Sequence, residues 1–408
     1  MKKRSINKNV NKIIDKRTLR KIKKNVKGIT LIALVVTIIV LLILAGVAIS
    51  LTVGDNGLFR RAENAADTWQ MAEQNEQKEM EQAGNFLDDY TSEYNKATTV
   101  SYAKQLNKPF ENDTTIVDDL GNKVRIPAGF KIAQDSATVV EDGIVIEDKD
   151  GNQFVWIPAR TEDEEGNEAG AIIKLSTGET ATIVYKRTDF GKQYGSYNDY
   201  TDTISSDEEE SVNEWGGYYI GRYEAGDKES TEAQTMRVGP TEDDRTITIK
   251  KNQAPYNWIK YDDLKRLSEN MDEKQGYAGF TKLISGYAWD TAINFIQIKN
   301  SDYGTNSIEG NYYDTTFTYN DITGAEKNKS INSYVLVPTG QTSAVSNIYD
   351  MGGNAWEYID ERYNNQATPY TNRGGGCGVR CEEIPSGYRN IGDGIDGGYH
   401  SFRVALFL

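Results

Sequence analysis

The chain has 408 residues, more than one compact domain usually holds, and 38% hydrophobic content with 25 tyrosines favours a folded body with polar-aromatic surfaces over disorder. Its net charge of −15 is unevenly spread: residues 1–28 carry 12 Lys and Arg against Asp15 alone, so everything after them sums to −26. An acidic body without a basic stripe excludes nucleic acid as a partner, and a single histidine, His400, leaves no Ser-His-Asp or His-metal constellation to build.

In chain order, the basic leader 1–28 precedes an uncharged apolar run from Ile29 to Val53. As a helix this run spans about 37 Å at 1.5 Å per residue, enough to cross a bilayer. The positive charge in front of it predicts a cytoplasmic leader and an extracellular body. A secretory signal peptide places its cleavage site after the apolar core, whereas Lys27-Gly28 stands before it. That order resembles type IV prepilins, and the resemblance implies cutting between Gly28 and Ile29 by a prepilin peptidase, with the helix kept on the mature protein. Filament-forming pilins carry Glu at the fifth mature position, where this chain has Ala33. Processing is therefore expected and filament assembly stays open; an uncleaved transmembrane anchor is the alternative.

Residues 29–97 read as that membrane helix continued into a stalk, because Leu58, Phe59, Ala62, Trp69, Ala72, Met80, Phe86, Leu87 and Tyr90 recur at three- and four-residue spacings. A head follows over residues 98–408. Turn punctuation between Thr114 and Pro158 predicts short strands, ending in Phe154-Val155-Trp156-Ile157-Pro158. Arg160–Ser211 is rich in Asp, Glu, Thr and Gly and is expected to be a long exposed insertion. Helices are predicted around Tyr261–Met271 and Trp289–Lys299, and after them loops broken by Val335–Val337 and Phe402–Leu408. Few helices, short strands and long loops give an α+β head. Trp156, Trp289 and Trp356 are expected in its core, and Gly352, Gly353, Gly374 and Gly375 at turns that exclude a Cβ. Phe402, Val404, Leu406 and Leu408 are expected to alternate onto one buried side.

The ordered series FVWIP, GGYYIGRYEAG, GYAWDTAINFI, NIYDMGGNAWEY, RGGG and FRVAL, across residues 154–406, resembles the domain of formylglycine-generating enzyme and sulfatase-modifying factors. The resemblance implies a variant of the C-type lectin fold. The enzyme's oxidase chemistry needs two cysteines that hold copper, a soft ion that selects thiolates. Cys377 and Cys381 fall earlier and closer together relative to Gly374-Gly375 than the enzyme's pair, so retained catalysis is not expected and no cofactor is expected. Asp350, Asn354, Glu357 and Asp360 are hard oxygen donors of the kind calcium takes, and structural hydrogen bonding accounts for them equally well; whether they hold a metal stays open.

Both cysteines and the histidine of the whole chain fall in residues 376–401, among residues with neither strand nor helix period. Lys, Gln, Met and Trp are missing from this stretch. The inventory resembles the variable region of target proteins of diversity-generating retroelements, with RGG before it and FRVAL after it as the frame. The resemblance implies a ligand face built from Cys377, Val379, Arg380, Cys381, Ile384, Tyr388, Arg389, Asn390, Ile391, Asp393, Ile395, Asp396, Tyr399 and His400, most of them facing solvent. The expected function is display at the cell surface and binding of a protein or glycan by the C-terminal region. The alternatives are an oxidase of the formylglycine-generating type and a minor pseudopilin.

Overall fold

The computed structural model describes residues 34–43, 98–161, 170–228, 247–306, 309–395 and 397–408. The chain divides into two units, residues 1–92 and 93–408. In the first, residues 34–43 are helical. The leader, the Gly28–Ile29 pair, the rest of the apolar run and the stalk lie outside the described residues. Among the described residues no helix is long and apolar enough to cross a membrane.

The head mixes helix and sheet, as its pattern predicted. Four helices of seven or more residues organise its described part: α1 (Val100–Leu106), α2 (Ser206–Trp215), α3 (Tyr261–Glu269) and α4 (Gly286–Ile296). The strands that position the site are, in chain order, β1 (Lys131–Ile132), β2 (Val145–Glu147), β3 (Gln153–Pro158), β4 (Tyr200–Thr201), β5 (Gly217–Gly221) and β6 (Phe280–Leu283). They continue with β7 (Trp356–Tyr363), β8 (Tyr370–Arg373), β9 (Asn390–Gly392), β10 (His400–Phe402) and β11 (Val404–Phe407).

The larger sheet is antiparallel in the order β6-β11-β5-β3-β2-β1. Its central strands are covered on both faces, so β5, β11 and β3 from Phe154 onward are buried at every position. A strand of that kind reads as an unbroken apolar run. The expected alternation therefore fails in β11: Ala405 and Phe407 are as buried as Val404 and Leu406, and Leu408 is half-buried. The smaller sheet runs β9-β8-β7-β10, with β4 on the far end of β7. There β7 and β10 are parallel, Trp356 beside His400 and Tyr358 beside Phe402. The chain passes from the smaller sheet to the larger one at Arg403.

Ser285 caps α4, its hydroxyl accepting from the Ala288 N–H at 3.1 Å. The predicted face of Trp289, Ala292, Ile293 and Ile296 is buried, and so are Asp290 and Thr291, which makes α4 an enclosed helix. Two expectations are corrected. Arg160–Ser211 is more than an exposed insertion: it holds a hairpin of Ala171–Lys174 with Thr180–Ile183 and the start of α2. Glu208 is buried there because Lys282 Nζ and Ser285 Oγ both reach it at 2.7 Å, so tertiary pairing overrides a polar composition. Trp156 and Trp289 are core, but Trp356 is only half-buried, since it opens β7 where the sheet ends. The glycine turns are as expected: Gly374 has φ +90°, and a Cβ on Gly353 would sit 2.4 Å from the Asn311 carbonyl oxygen.

Candidate functional site

Segment 376–401 leaves β8 just after Arg373 and returns through β10 just before Arg403. Both arginines, and Arg389 between them, are fully buried. Arg373 Nη2 meets Asp290 Oδ1 of α4 at 2.7 Å. Arg389 bonds the other oxygen of Asp290, and its Nε reaches Glu361 of β7 at 3.1 Å. Arg403 grips Glu357 with Nε at 2.9 Å and Nη2 at 2.6 Å. Asp290, Glu357 and Glu361 are themselves wholly buried. In so dry a place, removing one partner strands a charge, so these pairs clamp the segment at both ends and in the middle.

Three of the expected contact residues are thereby corrected. Arg389 is one of the clamps and does not face solvent. Cys377 is completely buried in a small apolar cluster with Leu336 and Ala355, and burial pushes its thiol up to about 12. Cys381 is also buried; its N–H donates to Asp314 Oδ1 at 3.2 Å and its thiol lies 3.7 Å from Oδ2. Burial and the Asp314 charge raise that thiol as well. Both cysteines are free thiols.

The other expected residues do reach the surface, to different degrees. Arg380, Asp393, Ile395 and Tyr399 are exposed, whereas Val379, Ile384, Tyr388, Asn390, Ile391 and His400 are half-buried. Asp396 lies outside the described residues. Tyr388 meets the half-buried Trp356 edge-on at 6.5 Å. The His400 ring stacks on Tyr358 at 5.2 Å, and burial holds its imidazole below the usual range. Asn390 and Ile391 lie on β9, the edge of the smaller sheet.

The oxygen donors weighed for calcium are each engaged by protein. Asp350 accepts from the Gly340 N–H at 2.7 Å and Glu357 serves Arg403. Asn354 Oδ1 accepts from the Asn311 side chain and the Val337 N–H, while Asp360 takes Lys265 at 2.7 Å and Tyr261 at 3.0 Å. Among the described residues no group of His, Cys, Asp and Glu is placed to hold a metal ion. Beside the segment, Cys381 helps line a cleft of about 560 Å³ with Asp314, Thr316, Phe317 and Gln341. Two tyrosines that sequence reasoning missed, Tyr313 and Tyr334, also come against the segment. Nothing local marks them, because they stand far from it along the chain in loop-like text.

No family model matches the chain, and no curated protein matches it. Solved structures that resemble it include CarF, 13% identical over 47% of this chain and 87% of that one, with a TM-score of 0.32. PvdO from Pseudomonas aeruginosa is 16% identical over 65% of this chain and 98% of its own, with a TM-score of 0.34. Treponema denticola variable protein 1 is 12% identical over 63% of this chain and 96% of its own, with a TM-score of 0.28. At TM-scores this low the likenesses carry no argument, and the functional reading rests on the chain's own residues.

Proposed function

We propose that the head binds a protein or glycan ligand through the solvent-facing part of residues 376–401, as the C-type lectin-like target protein of a diversity-generating retroelement. The observation that carries this reading is the contrast within one segment. Buried clamps at Arg373, Arg389 and Arg403 hold its backbone, while Arg380, Asp393, Ile395 and Tyr399 are exposed. Irregular backbone pinned to a rigid scaffold can change its exposed side chains at little cost in stability. Tyr, Asn, Asp and Arg on such a surface combine large contact area with adaptable hydrogen bonding.

The apolar run Ile29–Val53 would anchor this head at the outer face of a membrane, with a prepilin peptidase removing residues 1–28. That part of the reading rests on the sequence motifs alone. The oxidase reading is disfavoured by where the two cysteines lie: Cys377 is sealed in an apolar cluster with Leu336 and Ala355, and Cys381 is buried against Asp314.

The test exchanges Arg380, Asn390, Ile391, Asp393, Ile395 and Tyr399 together for a second set and compares both proteins on an array of purified surface proteins and glycans. Different captured partners are expected, and an unchanged profile overturns the binding-face reading. A near-copy of the coding DNA for residues 370–408 beside a reverse-transcriptase gene is expected as well, and its absence from the genome overturns the diversification.

A further inference from the structure

The binding face extends beyond the segment that would vary. The chain around residues 311–334 is folded against segment 376–401 by its backbone: Tyr313 N–H donates to Val379 O at 2.8 Å, and Asn332 N–H donates to Tyr313 O at 2.7 Å. Lys329 holds the base of this excursion from inside, with Nζ on the carbonyl oxygens of Tyr312 at 2.5 Å and Thr315 at 2.7 Å. On the outer side the rings of Tyr313 and Tyr334 lie 4.9 Å apart, and the Arg380 guanidinium sits 5.7 Å from the centre of the Tyr313 ring. Tyr334 is 58% exposed and Ile331 57% exposed. Arg380 is exposed and makes no ion pair among the described residues.

We propose that Tyr313 and Tyr334 are invariant contact residues of this face, and that with Arg380 they take a carboxylate side chain presented by a protein partner. The inference rests on the binding-face reading. A guanidinium against an aromatic ring keeps its fork of donors free on the open side, and that fork matches a carboxylate with two parallel hydrogen bonds. Tyrosine and arginine are enriched among the residues that dominate protein interfaces, tyrosine because it contributes area and a hydrogen bond at low entropy cost and arginine because its planar fork is pre-organised for bidentate bonding. The body outside the leader carries −26 and repels acid in general, so a carboxylate is held only where a cation without an ion pair among the described residues, here Arg380, faces it.

Gly378 ties the two parts together. A Cβ at that position would lie 2.7 Å from Tyr334 Cε1, and the glycine's φ is outside the left-handed region, so the obstacle to a side chain is the tyrosine ring and not the backbone. The residue at 378 thus sets where Tyr334 stands. The face is read jointly, with a fixed tyrosine whose position the segment adjusts.

The test uses the full chain in detergent and a fluorescein-labelled random copolymer of glutamate and tyrosine as probe. A lysine–tyrosine copolymer and dextran serve as comparisons. Tighter binding of the Glu–Tyr probe is expected, weakened about fivefold or more by Arg380→Ala, Tyr334→Ala and Gly378→Ala. The distant Arg160→Ala should leave it unchanged, with melting temperatures alike throughout. Equal binding by the three variants, or a preference for the lysine copolymer or dextran, overturns the inference. Exchange of Asn390, Ile395 and Tyr399 separates the two ideas. If that exchange alters array capture while Tyr334→Ala does nothing, only the inference falls; if it alters nothing, the binding-face reading falls with it.

Discussion

Arg389 carries its charge where water does not reach, and the carboxylates of Asp290 and Glu361 decide what its removal costs. Arg389→Ala takes one buried partner from each acid while Arg373 stays on Asp290 and Arg187 on Glu361, so a loss of about 3 kcal/mol is expected in urea unfolding, whatever happens to binding. A change of only a few tenths of a kcal/mol would return Arg389 to the contact face. Cys377 is a second case: Cys377→Ser places a hydroxyl among Leu336 and Ala355, and the expected cost is about 1–3 kcal/mol. At Cys381 a serine hydroxyl can donate to Asp314, so Cys381→Ser should be nearly neutral. The tryptophans divide in the same way. Trp289→Ala should cost roughly 3–5 kcal/mol as a core truncation, and Trp356→Ala clearly less, because Trp356 is half-buried.

At the scale of the element, α4 is the hub of the head, since Asp290 of α4 serves both Arg373 and Arg389. Its first residue, Gly286, donates its N–H to Asp202 Oδ2 at 2.7 Å. Burial, with Glu361 and Glu208 nearby, pushes Asp202 up to about 7. The folded state therefore holds a proton that the unfolded chain releases near pH 4. This contribution to stability is fully present below about pH 4 and is lost as the pH rises through about 7. Asp350, which burial raises to about 6, acts with the same sign. The melting temperature should accordingly fall between pH 5 and pH 8. Asp202→Asn, which can still accept from Gly286, should flatten that slope; an unchanged slope would remove Asp202 as its source.

For the whole molecule, the contrast between clamps and exposed positions predicts two grafts with opposite outcomes. A foreign sequence over 376–401 that keeps the buried Gly376, Cys377, Cys381, Pro385, Ser386, Gly387, Arg389 and Ser401, and Gly394 where a Cβ would meet the Tyr370 ring, should fold with a melting temperature close to the parent's. The same graft with Arg389 replaced should not. At the other end of the chain, intact-mass measurement on membrane-extracted protein should give a species beginning at Ile29, without the 12 positive charges of the leader. A terminus at Met1 would refute prepilin-type processing.

The sequence by itself determined the features that depend on near neighbours. FVWIP is an apolar run because its strand is enclosed on both faces, and α4 keeps its buried face at helical spacing. Gly353 and Gly374 occupy backbone positions that a Cβ excludes. Each of these is a constraint within a few residues, and periodicity records it. Exposure within segment 376–401 was not legible in that way. Arg380 and Arg389 are the same residue type nine positions apart in the same irregular text, yet one faces solvent and the other is sealed in the core. What separates them is whether Asp290 and Glu361, brought from other elements, stand within bonding distance. Burial of a charge is decided by its partner and the partner by the tertiary fold, which is why the clamps, the buried thiols and the Tyr313–Tyr334 pair belong to the structure alone.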